Sequence, residues 1–571
     1  MSRTAVLVAG LAYAAIAIFQ TWPLATDPGG LLAGSRLFGD LAGGTAQFWY
    51  LIAHHVSPFA PATLHGLNAP EGLQQSWTQN WASLPSTGLL YALSLLFGAM
   101  AAGAVFLWLS FVLSGLSMFL LTRRLFASPR AAFLAGFVFA FSPFAIRQIG
   151  IHDVYSSGWV LVLGVWRMLE LLQRRSRCNA VLGGAAMAFA MWWTPYFILF
   201  AGLAFATLAM ILIARAPRRR RGRSLRLAAL AGLPIAGLLA GFAALVELGG
   251  DSPTGIQAHS IHEPLVYGAR VREWLLPDRH NLIFGGLTRP IFETHMHGSN
   301  SGETSIYVGG SVLALAIVGA ILGWRRAHGG AHHAPDEARI RAVACGWLLA
   351  IVGAIFSLPP LIHVFGVTVV TPTLTVFLMS STWRVYSRLV ELIELGLCLP
   401  LAYALAWLLD RHHRAARVAA FAALGTVLVL DLWARLPVRA VPVALPPAYT
   451  WLKDHPGGIV ADYPLQPAVY PDYRPLLRAV QDGHPSFQGY WPGSPTEALK
   501  LRLSDVGAAR TAARLAALDV RYIVVHGGGA GASQEQLARR GYRLRFASAQ
   551  ASVYEVGAAP APARPTPGRG R

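Results

Sequence analysis

Charge is scarce in this chain. Acidic and basic residues together make up 13% of its 571 residues. The surface of a soluble protein of this size calls for about a quarter, so a wholly soluble globular protein is excluded. Lysine is almost absent, with Lys453 and Lys500 alone against a background of arginine. Cysteine is limited to Cys178, Cys345 and Cys398, at spacings that fit neither a disulfide framework nor a zinc ribbon. There is no GxSxG, no HExxH, and no haem or nicotinamide fingerprint. The run Gly527 to Gly531 follows a strand-like segment but lacks the Lys-Ser/Thr of a nucleotide loop, so it reads as a turn.

What the chain has instead is apolar length. Hydrophobic residues account for 54% of it and its mean hydropathy is +0.47. A membrane helix needs about 20 mostly apolar residues. Eleven stretches meet that requirement, at roughly 5–23, 102–121, 131–147, 157–173, 179–194, 197–214, 227–247, 307–324, 341–357, 388–409 and 416–434. The first lacks a convincing cleavage site and reads as a retained span. The expected fold is therefore an all-α polytopic membrane protein with a small α/β domain after it.

Arginine in the short turns sets the expected orientation. The turns at 122–130, 174–178, 215–226, 325–341 and 411–417 carry 3, 3, 7, 4 and 3 basic residues. These turns and the N-terminus are expected in the cytoplasm, which puts the C-terminus outside a bacterial inner membrane. The stretch 85–100 is apolar enough to span, but counting it would invert every later arginine turn. It reads as a re-entrant or interfacial helix. The net charge of +20 is then a topology signal rather than a sign of nucleic-acid binding, and the outer loops and spans are acidic on balance.

The expected domains are a polytopic region over 1–440 with outer loops at 24–101, 248–306 and 358–387, an extracytoplasmic α/β domain over 441–557, and a disordered tail over 558–571. In the α/β part, Gly458 to Tyr463 and Tyr522 to His526 read as buried strands. Asp505 to Leu518 reads as an amphipathic helix, and Arg543 to Phe546 and Ser552 to Val556 as closing strands.

Polar residues near the outer ends of the spans carry the functional information, because each is costly beside lipid unless it lines a cavity. Asp40 follows Phe38 and Gly39 and opens a helical segment. Asp40, Gln47, Tyr50 and His54 fall within about 80° of one another on a helical wheel, opposite Phe48, Leu51, Ile52 and Val56. That segment reads as an amphipathic helix on the outer surface. Asp40 is either a general base toward a hydroxyl or a helix cap. Arg147, Gln148, His152 and Asp153 form a second group, for ligand binding or for anchoring a helix end at the headgroups. In the loop 248–306, His295 and His297 with Glu303 nearby suit a divalent metal or simply a solvated loop. Glu303 stands out because Glu303 to Gly309 runs straight into a span. The fourth group is Trp383, Arg384 and Arg388, followed by Glu391 and Glu394. A guanidinium fork suits a phosphate. An i,i+3 pair of Arg388 with Glu391 is the structural alternative.

The arrangement as a whole resembles the GT-C membrane glycosyltransferases, most closely a bacterial branch that is YfhO-like and dolichol-phosphate-mannosyltransferase-like. The resemblance rests on Phe38 to Asp40, Phe139 to Pro143, Glu303 to Gly309, and Trp383 with Arg384. In the outer domain it rests on Trp451 with Leu452, Ala461 to Pro464, Gln488 to Tyr490, and Leu518 to His526. It implies an inverting transfer of a sugar from a polyprenyl-phosphate donor in the membrane to an outer acceptor: a glycan, a lipid or a protein. Asp40 would be the catalytic residue, deprotonating or orienting the acceptor hydroxyl. Arg384 would meet the leaving phosphate, assisted by Arg147 or His152, and Glu303 would position the acceptor or a metal. Members often carry a second acid behind the third span, for which Asp153 is the nearest candidate here. The alternative from a different class is a transporter or lipid flippase, which would show internal repeats and charges near the midplane.

Overall fold

The computed structural model describes residues 3–34, 40–75, 81–248, 259–296, 301–328, 334–435, 440–465, 474–489, 495–527 and 531–557. The chain divides into two compact units. The first comprises residues 1–27, 77–93 and 104–440; the second comprises 28–76, 94–103 and 441–571.

The first unit is a helical bundle, as the apolar runs predict. Among the described residues of the chain, nine helices are long and apolar enough to cross a membrane. The two expected spans outside that set are also helices, Trp159–Gln173 and Arg177–Trp193, of 15 and 17 residues. The second ends at Trp193 because Thr194 precedes Pro195, which starts the next helix. The stretch 85–100 forms the helix Leu84–Phe97, whose 14 residues rise about 21 Å, short of a bilayer core.

Val390–Asp410 is the axis of the bundle, with nearly every side chain buried. It packs against Ala334–Ser357, Gly310–His328 and Pro129–Ala140. Small residues permit this. A Cβ on Gly396 would lie 2.5 Å from the carbonyl oxygen of Gly346, and one on Gly319 would lie 2.1 Å from that of Pro400. Backbones this close are the usual solution where no hydrophobic force drives helices together. Between spans, the hairpin Leu361–Val364 with Val367–Val370 is followed by the helix Pro372–Met379, within the loop expected at 358–387.

The second unit holds a four-stranded sheet: β1 (Ile459–Tyr463), β2 (Val520–His526), β3 (Tyr542–Ala547) and β4 (Ala551–Val556), in the order β1-β2-β4-β3. The β1–β2 pair is parallel and the rest antiparallel. The expected strands are all present. The expected helix over Asp505 to Leu518 is shorter, Thr511–Ala517. Asp505 folds back locally instead, its Oδ1 accepting from the Gly507 N–H at 2.9 Å.

Residues 28–76 belong to this unit and are not a free-standing loop. The helix Asp40–Ala53 packs on Arg474–Asp482, and Leu51 is buried in one core with Leu476 and Leu477. Its apolar face thus meets protein, where the sequence suggested a membrane surface. The tail 558–571 lies outside the described residues.

Candidate functional site

Three short segments at helix ends of the first unit bring the site together. Tyr386–Leu389 is a 3₁₀ turn that leads into the central helix and carries Arg388. Asp153–Ser157 is a second such turn and carries Tyr155. Ser301–Thr304 carries Glu303. The chain after Glu303 is held in place from Asp431, whose carboxylate accepts from Tyr307 Oη at 2.5 Å, and from the Ser311 N–H and Oγ at 2.7 and 2.5 Å. A carboxylate at the first turn of Gly310–His328 also suits the helix dipole.

Arg388 and Glu303 form a buried two-point ion pair. Arg388 Nε donates to Glu303 Oε2 at 3.0 Å, and Nη2 donates to Oε1. Their exposures are 6% and 3%. Arg388 Nη1 donates to Tyr155 Oη at 2.7 Å. The guanidinium also lies over two rings, 4.8 Å from the centre of Tyr155 and 4.6 Å from that of Tyr196. Burial alone would raise the Glu303 carboxyl, but the charge and hydrogen bonds of Arg388 outweigh it and hold Glu303 below its ordinary value. The i,i+3 pair of Arg388 with Glu391 does not form. Residues 386–389 wind as a 3₁₀ turn, and Arg388 spends its fork on Glu303.

His152 adjoins this pair. Its Nδ1 is 3.1 Å from Gln148 Oε1, 3.5 Å from Arg388 Nη2 and 3.8 Å from Glu303 Oε1. Asp153 is buried and accepts from the Gly150 N–H at 2.7 Å. Burial pushes its carboxyl up to about 7, against that single hydrogen bond.

Arg384 is the accessible cation of the group. Its side chain is 45% exposed, and its Nη1 donates to Glu263 Oε2 at 2.7 Å. His259 Nδ1 lies 3.0 Å from the other Glu263 oxygen. The segment around Arg384 is pinned to the start of Pro195–Ala214. Trp383 Nε1 donates to the Pro195 carbonyl at 3.1 Å, and the Val385 N–H donates to Tyr196 Oη at 3.2 Å. Tyr196 therefore links the exposed arginine to the buried one. Arg384 also acts electrostatically on Glu303, helping to hold it ionised.

The other expected residues lie elsewhere. Arg147 is buried, with Nε 3.4 Å from Asp278 Oδ2, so it neither faces the headgroups nor stands free for a phosphate. Asp40 opens its helix, but its side chain is outside the described residues. In the second unit, Gln47 is half-buried and His54 is exposed, its ring tilted 33° against Tyr50 with ring centres 4.1 Å apart. His295 Nδ1 bonds to Thr294 Oγ1, and His297 is outside the described residues. Among the described residues no group of three or more His, Cys, Asp or Glu side chains is arranged to hold a metal. Tyr155, Tyr196 and Asp278 escaped the sequence reading, while Glu263 belongs to the polar loop expected at 248–306. Tyr196 follows a helix-starting Pro195 and had a signal in that position; Tyr155 and Asp278 had none.

A family described as "Domain of unknown function (DUF6311)" matches residues 83–433, more than half of the chain and the whole of the cluster just described. The chain belongs to the DUF6311 family. No curated protein matches it. Two solved structures of ArnT from Cupriavidus metallidurans are similar to this DUF6311 chain at 13% identity. The one bound to undecaprenyl phosphate has a TM-score of 0.43, covering 96% of this chain and 99% of that one. The apo form has a TM-score of 0.42, covering 98% and 100%. The DUF6311 region thus contributes a buried, stacked arginine–glutamate pair and, one residue segment away, an accessible arginine.

Proposed function

We propose that this protein is a membrane glycosyltransferase of the GT-C type, moving a sugar from a polyprenyl-phosphate donor to an acceptor outside the cytoplasmic membrane. The observation that carries the reading is the half-exposed guanidinium of Arg384, held at the end of a membrane-spanning helix by Glu263 and by the Trp383 and Tyr196 anchors. A phosphate headgroup whose lipid tail stays in the bilayer needs a cation in that position.

In the proposed reaction the acceptor oxygen attacks the anomeric carbon from the face opposite the phosphate. The bond from that carbon to the phosphate oxygen breaks, and polyprenyl phosphate leaves with inversion. Arg384 exchanges its contact with Glu263 for the phosphate and balances the charge that develops there. Arg388 is saturated by Glu303 and Tyr155, so it acts as a positioning residue: it fixes Tyr196 and, through it, Arg384. His152 is placed to bond a donor or acceptor hydroxyl. The role of base, taking the acceptor proton, falls to Asp40 on the strength of its place in the sequence. The YfhO-like branch assignment, the outward-facing site and the inversion all belong to this proposal.

The test is transfer of labelled sugar from a polyprenyl-phosphate donor by the purified protein. Arg384→Gln is expected to lower the rate by about 10²–10³, the range seen when one electrostatic stabiliser is lost. Asp40→Asn is expected to lower it by about 10²–10⁴, the range for a lost general base. Wild-type rates in both variants would remove the reading. So would consistent co-purification of a lipid without a polyprenyl phosphate, which favours a flippase.

A further inference from the structure

Below Arg388 the central helix carries two more carboxyl groups that the proposed reaction does not use. Glu391 and Glu394 lie one turn apart on Val390–Asp410 and are 3% and 4% exposed. Neither oxygen of Glu391 has a hydrogen-bond partner, and neither does Oε1 of Glu394. The remaining bond of Glu394 is to Ser142. Among the described residues neither glutamate makes an ion pair, while the nearby Arg388 is committed to Glu303.

Both carboxyl groups line one small cavity together with Ser142, Ser156 and Gly158. Its free volume is about 10 Å³, room for a single particle of water size. Ser156 is 2% exposed, and its Oγ also lacks a partner. Three residues that carry four unpartnered buried oxygens therefore line a space for one occupant, beside a helix that is long and apolar enough to cross a membrane. Ionisable groups in such places mark ion or proton sites, and buried polar atoms without partners call for an ion or a water.

A water would fill the space without balancing the charge. A pair of protonated carboxyls would be expected to bond to each other or to Ser156, and those bonds are absent. We propose that Glu391, Glu394, Ser142 and Ser156 bind one dehydrated hard cation of the size of Na⁺ or Ca²⁺. Carboxylate and hydroxyl oxygens are the ligands such ions take. Mg²⁺ gives up its waters reluctantly and would not fit with them. The site does not depend on the sugar-transfer reading.

The experiment is thermal unfolding of the purified full chain in detergent, after dialysis against chelator in choline chloride. A saturable rise in Tm of several degrees is expected with NaCl or CaCl2, compared with choline at matched ionic strength. Titration calorimetry with the responding salt should count one site per chain. The E391Q/E394Q double variant should lose the response. Gly158→Ala tests the space with both charges kept, because its Cβ would lie 2.7 Å from Glu391 Oε1; it too should lose the response. A wild-type Tm that responds to pH but to neither cation would overturn the proposal in favour of a protonated pair. A response kept in the variants would overturn it as well.

Discussion

Arg388 and Glu303 show how a costly pair can be made to hold. Taking both charges out of water is unfavourable, and their attraction repays it only with good geometry and further hydrogen bonds. Here the geometry is a two-point fork, and Tyr155 and Tyr196 supply the remaining contacts. Removing one partner strands the other. Glu303→Gln or Arg388→Met is expected to destabilise the protein by about 3–5 kcal/mol, while the double variant Arg388→Met/Glu303→Leu recovers most of that loss. Chemical denaturation in detergent measures both. Asp153 behaves in the opposite sense. Burial raises its carboxyl to about 7, so the folded protein keeps a proton that the unfolded chain releases above its ordinary value near 4. Stability is expected to fall as the pH rises from about 4 to about 7 and to level off beyond. Asp153→Asn keeps an acceptor for the Gly150 N–H and should flatten that profile, as Tm measured across the pH range would show. The sequence marked Glu303, His152, Arg384 and Arg388 individually. It could not join them, because 85 residues separate Glu303 from Arg388 and 233 separate Tyr155 from it, and no periodicity links such distances.

Helices were the legible scale. Apolar length alone located all eleven expected spans as helices, because the bilayer fixes how long a run must be. Their packing was not legible: a glycine in an apolar run looks the same whether it faces lipid or a neighbouring backbone. Gly396 and Gly346 face each other. A methyl group on Gly396 would meet the Gly346 carbonyl at 2.5 Å and the Ala350 nitrogen at 2.6 Å. Neither neighbour is a flexible side chain, so the helices must separate. Gly396→Ala is expected to cost about 1–3 kcal/mol, as overpacking does. Gly241 is the control. It lies in the helix Arg221–Leu248 with nothing within 4 Å of its Cβ position. Gly241→Ala should stabilise by about 0.5–1 kcal/mol through helix propensity. Comparing the two variants by thermal unfolding separates close packing from a general effect of adding a methyl group.

At the scale of the whole chain, the same ambiguity of apolar surface hid the extent of the second unit. The face of Asp40–Ala53 that carries Leu51 is as suited to lipid as to Leu476 and Leu477, and nothing in the sequence chose between them. The basic residues are less ambiguous, because arginine is retained on the cytoplasmic side of short turns whatever the apolar faces do. The central helix makes the consequence concrete: Arg388 precedes its first residue, Val390, and Arg411 follows its last, Asp410. If the arginine-rich turns are cytoplasmic, the Arg384 end of that helix faces outward, where a polyprenyl-phosphate donor would be used. Cys178 reports on this directly. It is exposed at the start of the helix Arg177–Trp193, next to the turn that holds Arg174 and Arg175, while Cys345 and Cys398 are buried. A membrane-impermeant maleimide is expected to label inside-out vesicles at Cys178 and to leave intact spheroplasts unlabelled until they are permeabilised. A Cys178→Ser variant sets the background. Labelling of intact spheroplasts would reverse the whole chain, bring Arg384 to the cytoplasmic face, and leave the proposed outer acceptor without access to it.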